Sequence, residues 1–228
     1  MMLTRRDALL FLSLLAAGAP FAKAANADRP KNVILVTGGD YMRYRRILEA
    51  TVAGLEALGL VRDMPHVPDS DREGTSDIWE ALTRATGAMR FLPDGHYSYA
   101  WDKAVREKVN AEIAERLRTR RDVDLIFTFG TEAGLDIPKL TSGIPILSLG
   151  SSNPVQTGIV ASETDSGRDN LHALVRRHPY GEEVRGFHAL CPFKKLALVV
   201  AASSVDKAGA KDIEAACRDL GAGFECLT

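Results

Sequence analysis

Residues 122–133, DVDLIFTFGTEA, contain the pattern on which the fold assignment depends. Every position from Leu125 to Phe129 is apolar or β-branched, which is typical of a parallel strand buried on both faces. Gly130 follows at once, and a helical pattern then runs to about Leu140. The stretch therefore predicts a strand, a tight turn and a helix in direct succession.

The same succession occurs at two other places in the chain. NVILV at residues 32–36 leads into TGGD, and an amphipathic helix follows over residues 47–58, with Gly59 at its C-terminal end. IPILSL at residues 144–149 leads into GSSNP. Strands that alternate with helices of this length are joined by right-handed crossovers. The predicted fold class is α/β, with a parallel sheet flanked by helices.

The other segments give weaker patterns. A second strand is predicted at residues 89–92, and a second amphipathic helix at 102–119. Residues 61–88 are interpreted as a polar surface insertion that contains one short helix. After the fourth strand we predict a short strand near 159–160 and a helix over 168–177.

A separate βα unit is predicted near the C-terminal end of the sequence. It has a strand at residues 195–201, a helix at 207–220 and a further strand at 224–227. A unit of this size does not bury a core of its own, so we expect it to be the start of a second lobe. The predicted organisation is a signal peptide at 1–24, a first α/β lobe at 25–190 and an incomplete second α/β lobe at 191–228.

The N-terminal residues are typical of a secretory signal peptide. Arg5 and Arg6 precede an almost uncharged run at residues 8–21, which ends in the small-residue sequence AKA at 22–24. The paired arginines partly match the twin-arginine export pattern, and an ordinary secretory leader is the alternative. Both interpretations predict export to the periplasm with a mature N-terminus at Ala25, and no lipid anchor because no cysteine lies near the cleavage region.

Composition and motifs argue against several classes of function. Lys and Arg number 29 against 30 Asp and Glu, so the chain lacks the basic excess of a nucleic-acid-binding protein. The sequence after the leader has no apolar run long enough for a stable membrane anchor. The five histidines lack metal-ligand spacing, and no nucleotide-binding or nucleophile motif occurs, so no metal, cofactor or catalytic residue is predicted. Of the three cysteines we expect buried small side chains, with a Cys217–Cys226 disulfide as the alternative.

Taken together, these segments resemble the ABC-transporter substrate-binding proteins of the type I periplasmic-binding fold. The resemblance rests on the Gly-Thr-x-Ala turn at 130–133, on NPVQTGIV at 153–160 and on KKLALVV at 194–200. Asn153 and Ile159 stand where that family usually has Asp and Leu. The resemblance does not cover residues 61–88.

The resemblance implies a two-lobed clamshell that closes on a small-molecule solute and delivers it to the membrane permease of an ABC transporter. A periplasmic sensory module of the same fold is the alternative, and an exported enzyme is a further one. The sequence does not separate transport from sensing and does not identify the solute.

Three turns form the predicted ligand site, because loops that follow parallel strands converge at one edge of the sheet. Their backbone N–H groups suit a carboxylate or another polar group of a solute. Ordinary turn chemistry explains each residue equally well. The ligand-binding residues predicted in these turns are Gly39, Asp40, Tyr41, Gly130, Thr131, Glu132, Ser151 and Asn153.

Two more candidates lie in the aromatic stretch DGHYSYAW at residues 94–101, which is predicted to follow the second strand. Tyr97 and Tyr99 are predicted to cover an apolar part of the ligand. Packing of these rings on the sheet is the alternative. The carboxylates of Asp40 and Glu132 are interpreted as partners for a ligand's ammonium or hydroxyl groups rather than as a catalytic pair.

Overall fold

The computed structural model describes residues 29–68, 71–176, 179–202, 205 and 208–228. These residues form nine strands and six helices. The strands are β1 (Lys31–Thr37), β2 (Val61–Arg62), β3 (Thr86–Gly87), β4 (Met89–Ser98), β5 (Leu125–Phe129), β6 (Ile146–Leu149), β7 (Leu171–Ala173), β8 (Lys195–Val199) and β9 (Gly223–Leu227). The helices are α1 (Met42–Ala57), α2 (Ser76–Thr83), α3 (Lys103–Thr119), α4 (Thr131–Leu140), α5 (Pro179–Leu190) and α6 (Ala210–Asp219).

Five of these strands form one sheet in the order β4-β1-β5-β6-β7, and every neighbouring pair is parallel. Strand β2 pairs with β3 in an antiparallel hairpin, and β8 pairs with β9 in a separate parallel pair. The predicted α/β fold with a parallel sheet flanked by helices is confirmed.

The central strand β1 buries both of its faces. Ile34 and Val36 pack with α3 and α4 on one side of the sheet, whereas Val33 and Leu35 pack with α1 and α2 on the other. This two-sided burial explains why the strand is apolar at consecutive positions instead of at alternate ones.

Strand β4 contains a large bulge. Val33 pairs with Phe91 and Leu35 with His96, so residues 92–95 of β4 lie opposite the single residue Ile34. The freed carbonyl groups of the bulge find donors on both sides of the sheet: Trp79 Nε1 donates to Leu92 O at 3.0 Å, and Arg116 Nη1 donates to Asp94 O at 2.7 Å. The prediction that β4 ends at residue 92 is wrong, because pairing with β1 resumes after the bulge.

The segment predicted as a surface insertion, residues 61–88, contributes to the core. Ile78, Trp79 and Leu82 of α2 are buried against the sheet. The fully buried guanidinium of Arg45 in α1 holds the same segment, donating to Gly74 O at 3.0 Å and to Asp77 Oδ1 at 2.8 Å. The 61–88 segment is therefore an integral part of this side of the sheet.

The two elements predicted between β6 and α5, a strand near residues 159–160 and a helix over 168–177, are wrong. Residues 159–160 form bends, and the segment predicted as a helix over 168–177 contains the edge strand β7. Leu171 and Ala173 alternate inward from β7, while His172 between them is exposed. Three residues are too few for this alternation to be distinguished from a helical pattern.

The last βα unit packs together with helix α5. Val184 of α5 packs with Ile213, Ala216 and Cys217 of α6 in a separate cluster under β8 and β9. Helix α5 thus shares a small core with α6, while the boundary at residue 191 stays a prediction. Cys217 is a buried free thiol, and Cys191 and Cys226 are also free, so the alternative of a disulfide is not seen.

The predicted signal peptide at residues 1–24 lies outside the described residues. The helices of the described part are all too short or too polar to span a membrane.

Candidate functional site

The turns after β1, β5 and β6 lie side by side at the carboxyl edge of the sheet. Gly38 N donates to Phe129 O at 3.2 Å, which joins the first turn to the end of β5. Gly130 N donates to Leu149 O at 3.0 Å, which joins the second turn to the end of β6. The Thr131 and Ser151 hydroxyl oxygens are 3.5 Å apart. The structure therefore brings these three predicted turns together at one edge.

Trp101 lies on the glycine turn after β1. Ala100 and Trp101 both have positive φ angles, 51° and 57°, which non-glycine residues rarely adopt. This bend places the indole against Gly38 and Gly39, where a Cβ atom on Gly38 would be 2.9 Å from the ring. Trp101 Nε1 donates to Asp40 O at 3.1 Å, and the side chain remains 57% exposed. Gly39 is buried beneath the indole, so its predicted direct contact with a ligand stays a prediction that this packing does not favour.

Tyr44 of α1 supports the turns from below. Its ring stacks with Trp101 at 5.9 Å between centroids and meets Tyr41 edge-on at 5.2 Å. A Cβ atom at Gly130 would overlap the Tyr44 hydroxyl. Burial, together with the charges of Glu132 and Tyr41, raises the pKa of Tyr44 to about 12, so the phenol is protonated at neutral pH. The sequence prediction missed Tyr44 as a part of the site.

A cavity of about 180 Å³ opens between these turns and the start of α3. It is lined by Gly38, Tyr99, Trp101, Asp102, Lys103, Arg106 and Glu132. Tyr99 and Glu132 were predicted site residues, whereas Trp101 and Arg106 were not. The cavity thus joins the aromatic stretch to two of the predicted turns.

The inner wall of this cavity is a fixed polar network. Arg106 makes a bidentate ion pair with Asp136, at 2.6 and 2.9 Å, and lies over the Tyr99 ring at 5.9 Å. The Tyr99 hydroxyl donates to Asn110 Oδ1 at 2.6 Å. Burial raises the pKa of the Tyr99 phenol above its ordinary value. Tyr99 is only 2% exposed, so its ring forms a wall behind Arg106.

Glu132 lies in the first turn of α4, where the helix N-terminus favours a negative charge. Its side chain is half-buried and borders the cavity. Among the described residues, no ion pair or hydrogen bond involves its carboxylate.

Residues 71–77 form the outer rim beside Asp40 and Tyr41. Tyr41 N donates to Glu73 O at 3.1 Å, and the Asp40 carboxylate packs against Gly74. Thr75 Oγ1 is 2.8 Å from His96 Nε2. Burial lowers the pKa of His96, and the charge of Asp40 opposes this shift. Asp40 and Tyr41 remain exposed on the rim.

Asn153 borders a different space. Its Oδ1 accepts a hydrogen bond from Gln156 N at 3.0 Å, which is ordinary turn capping. The residue borders a crevice of about 280 Å³ that lies between the turn after β6 and the start of α6, with Arg176 and Lys211 among its other lining residues. Asn153 is at the carboxyl edge but outside the cavity under Trp101.

The backbone of Tyr97 lies near the carboxyl end of β4, but its side chain points into the core. It is 8% exposed, and its hydroxyl accepts a hydrogen bond from Arg116 Nη1 at 2.9 Å near the opposite end of α3. Arg116 also pairs with Asp94 and Asp122, each at 3.0 Å. The bulge in β4 turns this ring into the core, so the structure does not support the predicted ligand contact of Tyr97.

A larger groove of about 540 Å³ lies on the outer side of α1, between that helix and residues 64–67. None of the predicted site residues lines it. The convergence of turns and the cavity under Trp101 therefore define the candidate site better than cavity size does.

Comparisons with known proteins are informative at the level of the fold. No protein-family model matches the sequence, and no curated protein matches it either. Solved structures do match. An ABC domain from Streptococcus pneumonia in complex with L-Trp is 13% identical, with a TM-score of 0.60, over 87% of this chain and 57% of that one.

Two further matches are of the same kind. An open, ligand-free substrate-binding protein with adhesive properties from Clostridium difficile is 18% identical, with a TM-score of 0.52, over 87% of this chain and 58% of that one. A solute-binding protein of an ABC transporter from Rhodopseudomonas palustris, in complex with 3,4-dihydroxybenzoic acid, is 10% identical, with a TM-score of 0.52, over 87% of this chain and 47% of that one.

These similar structures are ABC-transporter substrate-binding proteins of the type I periplasmic-binding fold. The parallel sheet of this chain has the lobe fold of that class, and the predicted resemblance is confirmed at this level. The chain spans about half the length of the structures that it matches.

Proposed function

We propose that this chain is an exported solute-binding protein of an ABC-type uptake system and that it binds a small polar solute at the carboxyl edge of the sheet. The observation that carries the proposal is the convergence of three turns at this edge of the sheet, two of which border the cavity under Trp101. Backbone donors, hydroxyl groups and a carboxylate meet there beside an exposed aromatic surface.

The chemistry of the edge suits a solute with both polar and apolar parts. The Thr131 hydroxyl and the start of α4 offer hydrogen bonds, and Glu132 offers a negative charge. Trp101 and Tyr41 are 57% and 46% exposed, and they offer apolar surface. Pockets that combine apolar walls with a few polar groups are the usual sites for small ligands.

The ligands of the similar structures support the size class of the solute. Those structures include complexes with L-Trp, 3,4-dihydroxybenzoic acid and Leu. All three ligands are small molecules that carry both polar groups and an apolar portion, as the proposed site requires.

A thermal-shift screen with small amino acids, aromatic acids, amines and sugars tests the proposed binding. A solute at about 100 times its Kd raises the free energy of unfolding by about 2.7 kcal/mol. We expect at least one solute to stabilise the chain, and we expect Thr131→Val to reduce that shift while Thr119→Val, at the far end of α3, leaves it unchanged. The proposal would be wrong if no solute stabilised the chain, or if both valine variants responded like the wild type.

Export is the second part of the proposal and rests on the leader at residues 1–24. Changing both Arg5 and Arg6 to Lys is expected to leave precursor in the cytoplasm, because the twin-arginine pathway requires the arginine pair. Fractionation with an antibody against the mature chain measures the distribution. Normal processing of the Lys variant, with export blocked only when residues 8–21 are deleted, would replace the twin-arginine route with the general secretory one.

A further inference from the structure

The cavity under Trp101 is surrounded by an excess of negative charge. Three carboxylates and two cations lie at or directly behind its wall: Asp102, Glu132 and Asp136 against Lys103 and Arg106. A solute that enters this cavity loses water from one side. A charge of opposite sign to the wall is then favoured, because it replaces the lost hydration.

All of these groups except Glu132 have partners within the protein. Asp102 caps α3 by accepting a hydrogen bond from Val105 N at 2.9 Å. Arg106 is held by Asp136, and Lys103 lies 3.8 Å from Glu107. Within the described part of the chain, Glu132 is thus the one charged group of the cavity wall that lacks an ion pair or hydrogen bond.

The Trp101 indole presents aromatic surface beside the same cavity. The ring packs on the Gly38–Gly39 backbone and contacts Tyr44 and Tyr41, yet the side chain is 57% exposed, so part of its aromatic surface remains accessible to a ligand. The face of an indole carries negative electrostatic potential and attracts cations. Accessible indole surface and an unpaired carboxylate on the same small cavity favour the same kind of ligand group.

We propose that the solute carries a protonated amine, which makes an ion pair with Glu132 and lies against the accessible aromatic surface of Trp101. This inference rests on the proposed function, because it assigns the solute class of the same site. A neutral or anionic solute would leave the Glu132 carboxylate partly dehydrated and without a partner, which is unfavourable.

Two probes of nearly the same shape test the charge requirement. Phenethylamine is protonated at pH 7.5, whereas 2-phenylethanol is neutral. Tryptophan emission reports binding, because the chain has two tryptophans and Trp79 is buried, with 2% of its surface exposed. We expect phenethylamine to change the emission and to bind about tenfold more tightly than 2-phenylethanol. Trp101→Phe should abolish the change in emission.

Charge variants separate the role of Glu132 from a general effect of net charge. Glu132→Gln is expected to weaken phenethylamine binding about tenfold and to leave 2-phenylethanol binding unchanged. Glu112→Gln, on the exposed face of α3, removes the same charge and should have no effect. Melting temperature confirms that each variant is folded.

The outcomes distinguish this inference from the proposed function. Equal binding of the two probes, or equal effects of the two glutamine variants, would overturn the requirement for an amine while leaving solute binding intact. Failure of both probes while the screen finds only solutes without an amine would do the same. Failure of every solute would overturn the proposed function as well.

Discussion

Replacing Arg116 with Met is expected to lower the free energy of unfolding by about 3 kcal/mol, because it removes the donor to the buried Tyr97 hydroxyl and to Asp94 O, and one of the two arginines that pair with the half-buried Asp122. The guanidinium is 4% exposed and makes ion pairs with Asp94 and Asp122. It also donates to the Tyr97 hydroxyl and to Asp94 O in the bulge of β4. Denaturant unfolding followed by circular dichroism measures the loss.

Arg118→Met is the matched control for this prediction. Arg118 lies on the same helix, is 71% exposed and, within the described residues, pairs only with Glu115 three residues away. An exposed pair of this kind contributes less than about 1 kcal/mol. A similar loss in both variants would show that the buried network does not have the assigned role.

The same network predicts how the loss depends on pH. The pKa of Asp94 is lowered by Arg120 and Arg116; burial alone would raise the pKa of Asp122, but Arg116 holds it below its usual value. Carboxyl groups with a lowered pKa stabilise the fold above the pKa of the unfolded chain, about 4, and this stabilisation is lost as the pH falls through the folded-state pKa. The difference between wild type and Arg116→Met should therefore shrink below about pH 4, and a constant difference from pH 7 to pH 3 would contradict the electrostatic account.

Gly130→Ala is expected to lower the free energy of unfolding by about 3 kcal/mol, through backbone strain and overlap with Tyr44. Gly130 has a φ of 93°, and its Cα lies against the Tyr44 hydroxyl. Gly54→Ala is the control, because a Cβ atom there meets nothing within 4 Å inside α1. Alanine at position 54 should stabilise the chain by about 1 kcal/mol.

A double variant separates the two causes of this loss. Tyr44→Phe removes the hydroxyl that a Cβ atom at position 130 would overlap but keeps the ring carbon Cζ, which such a Cβ atom would meet at 2.8 Å. Gly130→Ala should therefore cost less in the Tyr44→Phe background than in the wild type, with only part of the loss recovered. The strain of the positive φ angle at residue 130 remains in both the wild-type and the Tyr44→Phe background. Chemical denaturation of all four proteins completes the cycle, and the absence of any recovery would show that overlap with the hydroxyl does not contribute to the loss.

The sheet was predictable from the sequence because its strands are encoded locally. A strand buried on both faces is apolar at consecutive positions, and β1 and β5 show this pattern without help from the rest of the chain. The turns that follow them could be placed at one edge because parallel strands end at the same edge. The resemblance to periplasmic-binding proteins narrowed the predicted α/β fold to the type I periplasmic-binding fold.

The details that failed depend on contacts between distant residues. Tyr97 turns into the core because a bulge re-registers β4, and the donors that satisfy the bulge, Trp79 and Arg116, are distant in sequence. Trp101 belongs to the site because it meets Gly38 and Gly39 more than sixty positions away. Two consecutive glycines indicate that a group packs closely against the backbone at this turn, but the sequence does not identify which side chain does so.

The packing partner of α5 could not be read from the sequence for a related reason. Helix α5 is amphipathic, and its sequence alone does not state which sheet it covers. Val184 packs with α6 instead of with the five-stranded sheet. Helix faces can be read from periodicity, whereas their partners depend on the tertiary arrangement.

Hydrogen exchange on the solute-bound chain locates the surface that the solute covers. The solute with the largest effect in the thermal-shift screen is added at saturation, and amide exchange is measured by mass spectrometry with and without it. The account predicts slower exchange in the segments that surround the cavity under Trp101, residues 38–41, 99–103 and 130–133. Protection confined to the groove between α1 and residues 64–67, with no change in those three segments, would contradict it.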